Sequence, residues 1–155
     1  MTLRAKPLLG FFTLTLGGGM LAGFISGPSM KIYQIFAKPS LSPPGFLFPI
    51  VWTVLYILMA ISAYIIFTSG SEKRKSALAV FAVQLFFNFF WTILFFNLQM
   101  YLFAFIWLAI LWMLILLMIV SFYRINKTAA YLQIPYLLWV SFAGYLNFMV
   151  WILNK

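Results

Sequence analysis

Cysteine and histidine are both missing from this chain of 155 residues, and its acidic residues are reduced to one, Glu72. Without thiols there are no disulfides and no thiolate chemistry. Without imidazole there is no Cys/His zinc site and no Ser-His-Asp triad. Glu72 itself sits in a charged run, Glu72-Lys73-Arg74-Lys75, so no carboxylate lies inside an apolar segment. Proton relays in pumps ordinarily use intramembrane Asp, Glu or His, and none is present. The chemistry left to this protein is that of aromatic rings, amides, hydroxyls and backbone.

What is abundant is apolar surface. The chain is 66% hydrophobic and 21% aromatic, with only 7% charged residues, and its mean hydropathy is +1.09. Ordinary soluble domains are about half apolar, so a chain this short has too little interior to hide its apolar residues. An integral membrane protein of several spans, folded as one domain, is the class that fits. The net charge of +9 comes from basic residues in short loops. That placement reads as a topology signal and as contact with anionic lipid headgroups, not as a nucleic-acid surface.

Apolar runs long enough to cross the hydrocarbon core occur at about 8–26, 46–67, 78–96, 100–122 and 130–152, since a crossing takes about 20 helical residues. The expected fold is therefore all-α, a bundle of five transmembrane helices. Spans three and four come from one charge-free stretch between Lys75 and Arg124, which must fold back on itself; Asn97 and Gln99 mark the turn. Arg4 and Lys6 before an apolar run imitate a signal peptide. The length of that run and the segment Gly17-Gly18-Gly19 favour a retained first helix.

Arg4, Lys6, Lys73, Arg74, Lys75, Arg124 and Lys127 fall on one side of this topology, against Lys31, Lys38 and Lys155 on the other. The positive-inside bias then puts the N-terminus in the cytoplasm and the first loop outside. Gly19–Gly23 and Gly23–Gly27 are GxxxG spacings that permit close helix approach, inside the bundle or between two copies.

The stretch Lys38–Met59, KPSLSPPGFLFPIVWTVLYILM, starts as a proline-stiffened loop (Pro39, Pro43, Pro44) and passes into an apolar helix. Such a loop suits a fixed lid better than a span. Trp52 and Tyr56, four residues apart, share one helical face. On the third span Gln84, Asn88, Trp91 and Phe95 recur at helical spacing; polar groups are costly in lipid, so this face points inward. Asn88 could line a cavity or simply join helices by hydrogen bonding.

These segments resemble the TspO/MBR family, the tryptophan-rich sensory or translocator proteins also called peripheral-type benzodiazepine receptors. Lys38-Pro39, Pro43-Pro44, Phe48-Pro49, Trp52-Thr53, Leu55-Tyr56 and Met59 meet the family's loop and second-helix pattern. QLFFNFFWTILFF (Gln84–Phe96) and PYLLWVSFAGYLN (Pro135–Asn147) look like its second and third motifs. The resemblance implies a ligand pocket formed by Trp52, Tyr56, Gln84, Asn88, Trp91, Tyr136, Trp139, Ala143, Leu146 and Asn147. A lid carrying Tyr33, Lys38, Pro39, Pro43 and Pro44 would close it. Trp107, Trp112 and Trp151 read as packing or membrane-belt residues.

The resemblance implies porphyrins and related tetrapyrroles as ligands, together with benzodiazepine-receptor-type compounds, with no covalent cofactor and no metal. Lys31 and Lys38 stand near the mouth, either to meet propionates or as solvated loop charges. It further implies light-dependent oxidative degradation of protoporphyrin with Trp52 and Trp139 as the residues involved, and a homodimer in a bacterial cell membrane. A small multidrug or metabolite exporter is the alternative, against which the absent intramembrane carboxylate weighs. Sterol binding, implied by resemblance to eukaryotic members, is placed in doubt. Ile152 stands where a basic residue is expected, and Tyr145 is too far from Lys155.

Overall fold

The computed structural model describes residues 3–155, the Ile32 side chain excepted. Ala5–Phe12, a π-helical turn at Thr13–Gly17 and Gly18–Tyr33 follow without a break and form α1. Leu47–Thr68 is α2. Arg74–Thr92 runs on through a second π-helical turn, Ile93–Asn97, and together they form α3. Tyr101–Tyr123 is α4. A one-turn helix, Lys127–Tyr131, leads into α5, Ile134–Leu153. No strand occurs among the described residues.

Five helical stretches are long and apolar enough to cross a membrane: Ala5–Lys31, Leu47–Thr68, Arg74–Asn97, Tyr101–Tyr123 and Lys127–Leu153. Their outward faces carry Phe24, Met20 and Leu138 at 82%, 75% and 65% exposure, a surface that only a bilayer covers comfortably. The core is built from small and flexible side chains, with Met59, Ala60, Ala63, Ile66, Ile115, Met118 and Phe122 fully buried. The expected five-span topology is therefore present.

The largest boundary difference lies in α1, which continues past the expected end near residue 26 and through Pro28. Proline cannot donate to the carbonyl one turn back, which normally weakens a helix there. Here α3 props that stretch: Ser26 Oγ donates to Asn97 Oδ1 at 2.9 Å, and Asn97 Nδ2 donates to the Ile25 carbonyl at 3.2 Å. Tyr33, expected in the lid, is consequently the last residue of α1, and the loop runs from 34 to 46. The fold-back between α3 and α4 lies where Asn97 and Gln99 marked it. Gln99 takes the left-handed conformation with φ of 53°, and Met100 N donates to the Leu94 carbonyl at 3.1 Å.

The glycines of α1 divide by function. A Cβ on Gly18 would run into the Phe89 ring of α3, and one on Gly19 into the Tyr56 ring of α2. Gly23 and Gly27 have open space at the same point. Of the three glycines in the paired spacings, only Gly19 thus serves internal packing. A Gly19→Leu replacement should separate α1 from α2 and destabilise the bundle by about 1–3 kcal/mol, the usual range for overpacking. Gly23→Leu should change little. Thermal unfolding of both variants in one detergent checks this.

Candidate functional site

Polar side chains of three helices meet in the middle of the bundle. Tyr56 of α2 donates its hydroxyl proton to Asn88 Oδ1 of α3 at 2.7 Å. Asn88 Nδ2 donates to the Tyr136 hydroxyl of α5 at 2.9 Å, and that hydroxyl donates to Gln84 Oε1 at 2.8 Å. All four residues are buried. Away from water an unpaired polar group costs several kcal/mol, roughly, and the two hydroxyls, the Asn88 amide and Gln84 Oε1 satisfy one another. Thr15 Oγ1, in the π-helical turn of α1, adds a 3.0 Å bond to the Tyr56 carbonyl. Gln84 Nε2 has no partner among the described residues.

Nearer the loop a second polar junction joins α3, α4 and α5. Trp91 Nε1 donates to Asn147 Oδ1 at 3.0 Å, and Asn147 Nδ2 donates to the Tyr101 carbonyl at 2.8 Å. Beside it lies a dense set of rings. Tyr33, at the end of α1, packs edge-on against Phe36, Phe48 and Phe96 at centroid distances of 6.3, 6.0 and 6.0 Å. Phe95 stands 5.4 Å from Trp91 in a stacked pair and 5.3 Å from Tyr101 edge-on. Lys38 Nζ sits 4.5 Å from the Tyr33 ring centroid, a cation–π contact that draws the loop down over this cluster.

The two tryptophans singled out from the sequence lie on the α2–α5 side. Trp52 stacks on Tyr56 at 5.6 Å and meets Tyr136 edge-on at 6.2 Å. Trp139 meets Phe48 edge-on at 5.9 Å. With α2 and α5 antiparallel, these contacts put both indoles within about one turn of each other along the bundle. Trp139 also lines an apolar groove of about 460 Å³ with Ile50, Val51, Val54, Leu55, Pro135, Leu138 and Phe142. Trp52 and Asn88 are not part of that lining. The Trp139 Nε1 atom is buried and has no hydrogen-bond partner among the described residues.

The structure therefore gathers the expected residues into three neighbouring groups. Tyr56, Gln84, Asn88 and Tyr136 form the interior network; Trp91 and Asn147 form the junction under the loop; Trp52 and Trp139 flank α2 and α5. Ala143 and Leu146 are buried on the face of α5 that carries Tyr136 and Asn147. In the loop, Pro39 is buried, Lys38 and Pro43 are half-buried, and Pro44 is exposed. Trp107 and Trp112 prove to be more than apolar filler. Trp107 Nε1 donates to the Phe87 carbonyl at 2.8 Å, and Trp112 Nε1 to Ser141 Oγ at 2.8 Å.

Several residues at this end escaped the sequence reading. Phe36, Phe96 and Tyr101 complete the ring cluster, and in a chain with 19 phenylalanines nothing sets Phe36 or Phe96 apart, whereas Phe95 shares the inward spacing of Gln84, Asn88 and Trp91. Phe48 carried one signal, its fixed place before Pro49 in the loop motif. The hydroxyl of Tyr136 lends itself to a direct test. Tyr136→Phe would leave Asn88 Nδ2 and Gln84 Oε1 unpaired, at about 1–3 kcal/mol for each orphaned group. The expected outcome is a clearly lowered unfolding temperature in detergent, while Tyr145→Phe, on an exposed face, leaves it unchanged.

Comparison with known proteins bears on the same residues. The TspO/MBR family profile matches residues 11–152. The chain is 40% identical over 133 residues to the Tryptophan-rich protein TspO of Chlorobaculum tepidum, covering 84% of each chain. It is 39% identical to Protein CrtK of Rhodobacter capsulatus, over 79% of this chain and 78% of that one. With the Translocator protein of Bos taurus it shares 31% identity over 94% of this chain and 88% of the relative. The match takes in the polar network, the ring cluster and all five spans: the chain belongs to the TspO/MBR family.

Proposed function

We propose that the protein is a membrane receptor or carrier for tetrapyrroles such as protoporphyrin IX and haem-like porphyrins. The ligand would be held among the rings beneath the 34–46 loop. The observation that carries this reading is the Tyr33-centred ring cluster capped by Lys38. Flat, largely apolar molecules gain about 0.5–1.5 kcal/mol per favourable ring pair beyond area burial. A cation at the rim suits a carboxylate-bearing ring system. Relatives called translocator protein and tryptophan-rich sensory protein agree with a receptor or carrier role. Benzodiazepine-receptor-type ligands, also flat and aromatic, would be held by the same rings.

Topology completes the reading. The basic end, with Arg4, Lys73, Arg74, Lys75 and Arg124, faces the cytoplasm of a bacterial cell, and the loop opens outside. Gly23 and Gly27, which meet no neighbour, leave α1 a surface for a second copy in a homodimer.

A catalytic extension is favoured by the placement of Trp52 and Trp139 on one side of the bundle. In light, an excited porphyrin and oxygen would supply the oxidising power, and the indoles would be oxidisable partners beside the ligand, Trp139 through its contact with Phe48. Titration of the purified protein with protoporphyrin IX in darkness, then under illumination, separates binding from turnover. Dark quenching of Trp fluorescence is expected, followed by loss of pigment absorbance in light. Replacing both Trp52 and Trp139 by Phe should retain the dark binding and suppress the light-driven loss; an unchanged yield removes the indoles from the chemistry. With neither His nor Cys to ligate iron strongly, metal-free porphyrin should bind about as tightly as haem. A far tighter haem complex with a low-spin, doubly ligated spectrum contradicts this.

A further inference from the structure

The loop over the ring cluster is fastened on one arm far more firmly than on the other. On the α1 side, Asn154 Nδ2 donates to the Ala37 carbonyl at 3.1 Å, across 117 residues of sequence. The same nitrogen bonds the Val150 carbonyl at 2.8 Å, which holds the amide against the end of α5. Phe36 packs edge-on against Tyr101 at 5.3 Å, and Lys38 lies over Tyr33. On the α2 side the backbone hydrogen bonds are local turns: Ser42 N to the Pro39 carbonyl and Leu47 N to the Pro44 carbonyl, both 3.0 Å. Leu41 and Phe46 there are 65% and 68% exposed.

We propose that Asn154 is the positioning residue of the lid, a latch that ties the loop to α5 and sets how often it lifts from the rings. The register of α5 explains why it reaches. Trp139 already stands beside the first turn of α2 through its contact with Phe48. The remaining helix to Leu153 runs on past the start of α2 for roughly 20 Å. That length carries the Asn154 amide up to the loop. Among the described residues the backbone of the opposite arm bonds only within its own turns, so release at Ala37 removes the one hydrogen bond that ties the loop backbone to α5 and lets the 34–46 segment move between its two helix ends. The effect on ligand exchange rests on the site proposed above; the latch itself does not.

The absence of cysteine makes the test clean. Nitroxide labels at Leu41→Cys and Leu98→Cys report the loop against the α3–α4 turn by pulsed electron spin resonance, without ligand. Asn154→Ala and the near-isosteric Asn154→Asp, which lacks the donor, should broaden the distance distribution. Asn154→Gln, which keeps the donor, should broaden it less. An unchanged distribution in both donor-free variants overturns the proposal. In the second arm, Ala37→Cys with Asn154→Cys should form a disulfide under mild oxidation faster than Leu41→Cys with Asn154→Cys; equal rates overturn it. Protoporphyrin IX association and dissociation should both quicken about two- to tenfold in Asn154→Ala, the worth of one neutral hydrogen bond, with affinity moving less. A loosened loop in a protein that binds no porphyrin in any form supports the latch and refutes the ligand site.

Discussion

A polar group buried in a lipid-embedded bundle has no water to fall back on, and the interior of this protein is arranged around that constraint. Tyr136 answers it by donating to Gln84 while accepting from Asn88, whose other end takes the Tyr56 proton. Two tyrosine hydroxyls meeting at Asn88 thereby fix the relative rotation of α2, α3 and α5, because turning any of the three would strand a partner. Apolar packing alone cannot supply such specificity when lipid tails are as apolar as the helix faces. The aromatic site nearer the loop inherits its geometry from this network: Trp52 stacks on Tyr56, and Asn147 lies along α5 from Tyr136.

The first helix is held by a different device. Gly18 and Gly19 bring its backbone against the Phe89 and Tyr56 rings, so the attachment is contact between bare chain and flat aromatic surface. The π-helical turn just before them presents Thr15 Oγ1 to the Tyr56 carbonyl. Tyr56 is thus gripped from three sides, by Thr15, Asn88 and Trp52. Its position in the family's loop-and-helix motif acquires a physical meaning: it is where α1, α2 and α3 meet.

Much of this was legible in the chain before any coordinates. The five spans followed from length and hydropathy, and the fold-back at 97–99 followed from the only amides near the middle of a charge-free stretch. The inward face of α3 was readable because Gln84, Asn88 and Trp91 repeat at helical spacing among phenylalanines. What sequence could not convey was pairing. Nothing in the pattern says that Asn88 takes Tyr56 and Tyr136 as partners, since that depends on how three helices are rotated. Most phenylalanine positions were equally silent, because a residue so common marks core, lipid face and ring cluster alike. Asn154 gave no signal at all; a lone amide near a helix end ordinarily reads as a cap.

The tight corner at Gln99 has a mechanical meaning. With α3 and α4 joined by three residues, and Phe95 and Tyr101 locked ring against ring across the bend, this side of the opening behaves as a jamb. Any movement at this end of the bundle is therefore left to the 34–46 segment, while the α3–α4 corner stays fixed.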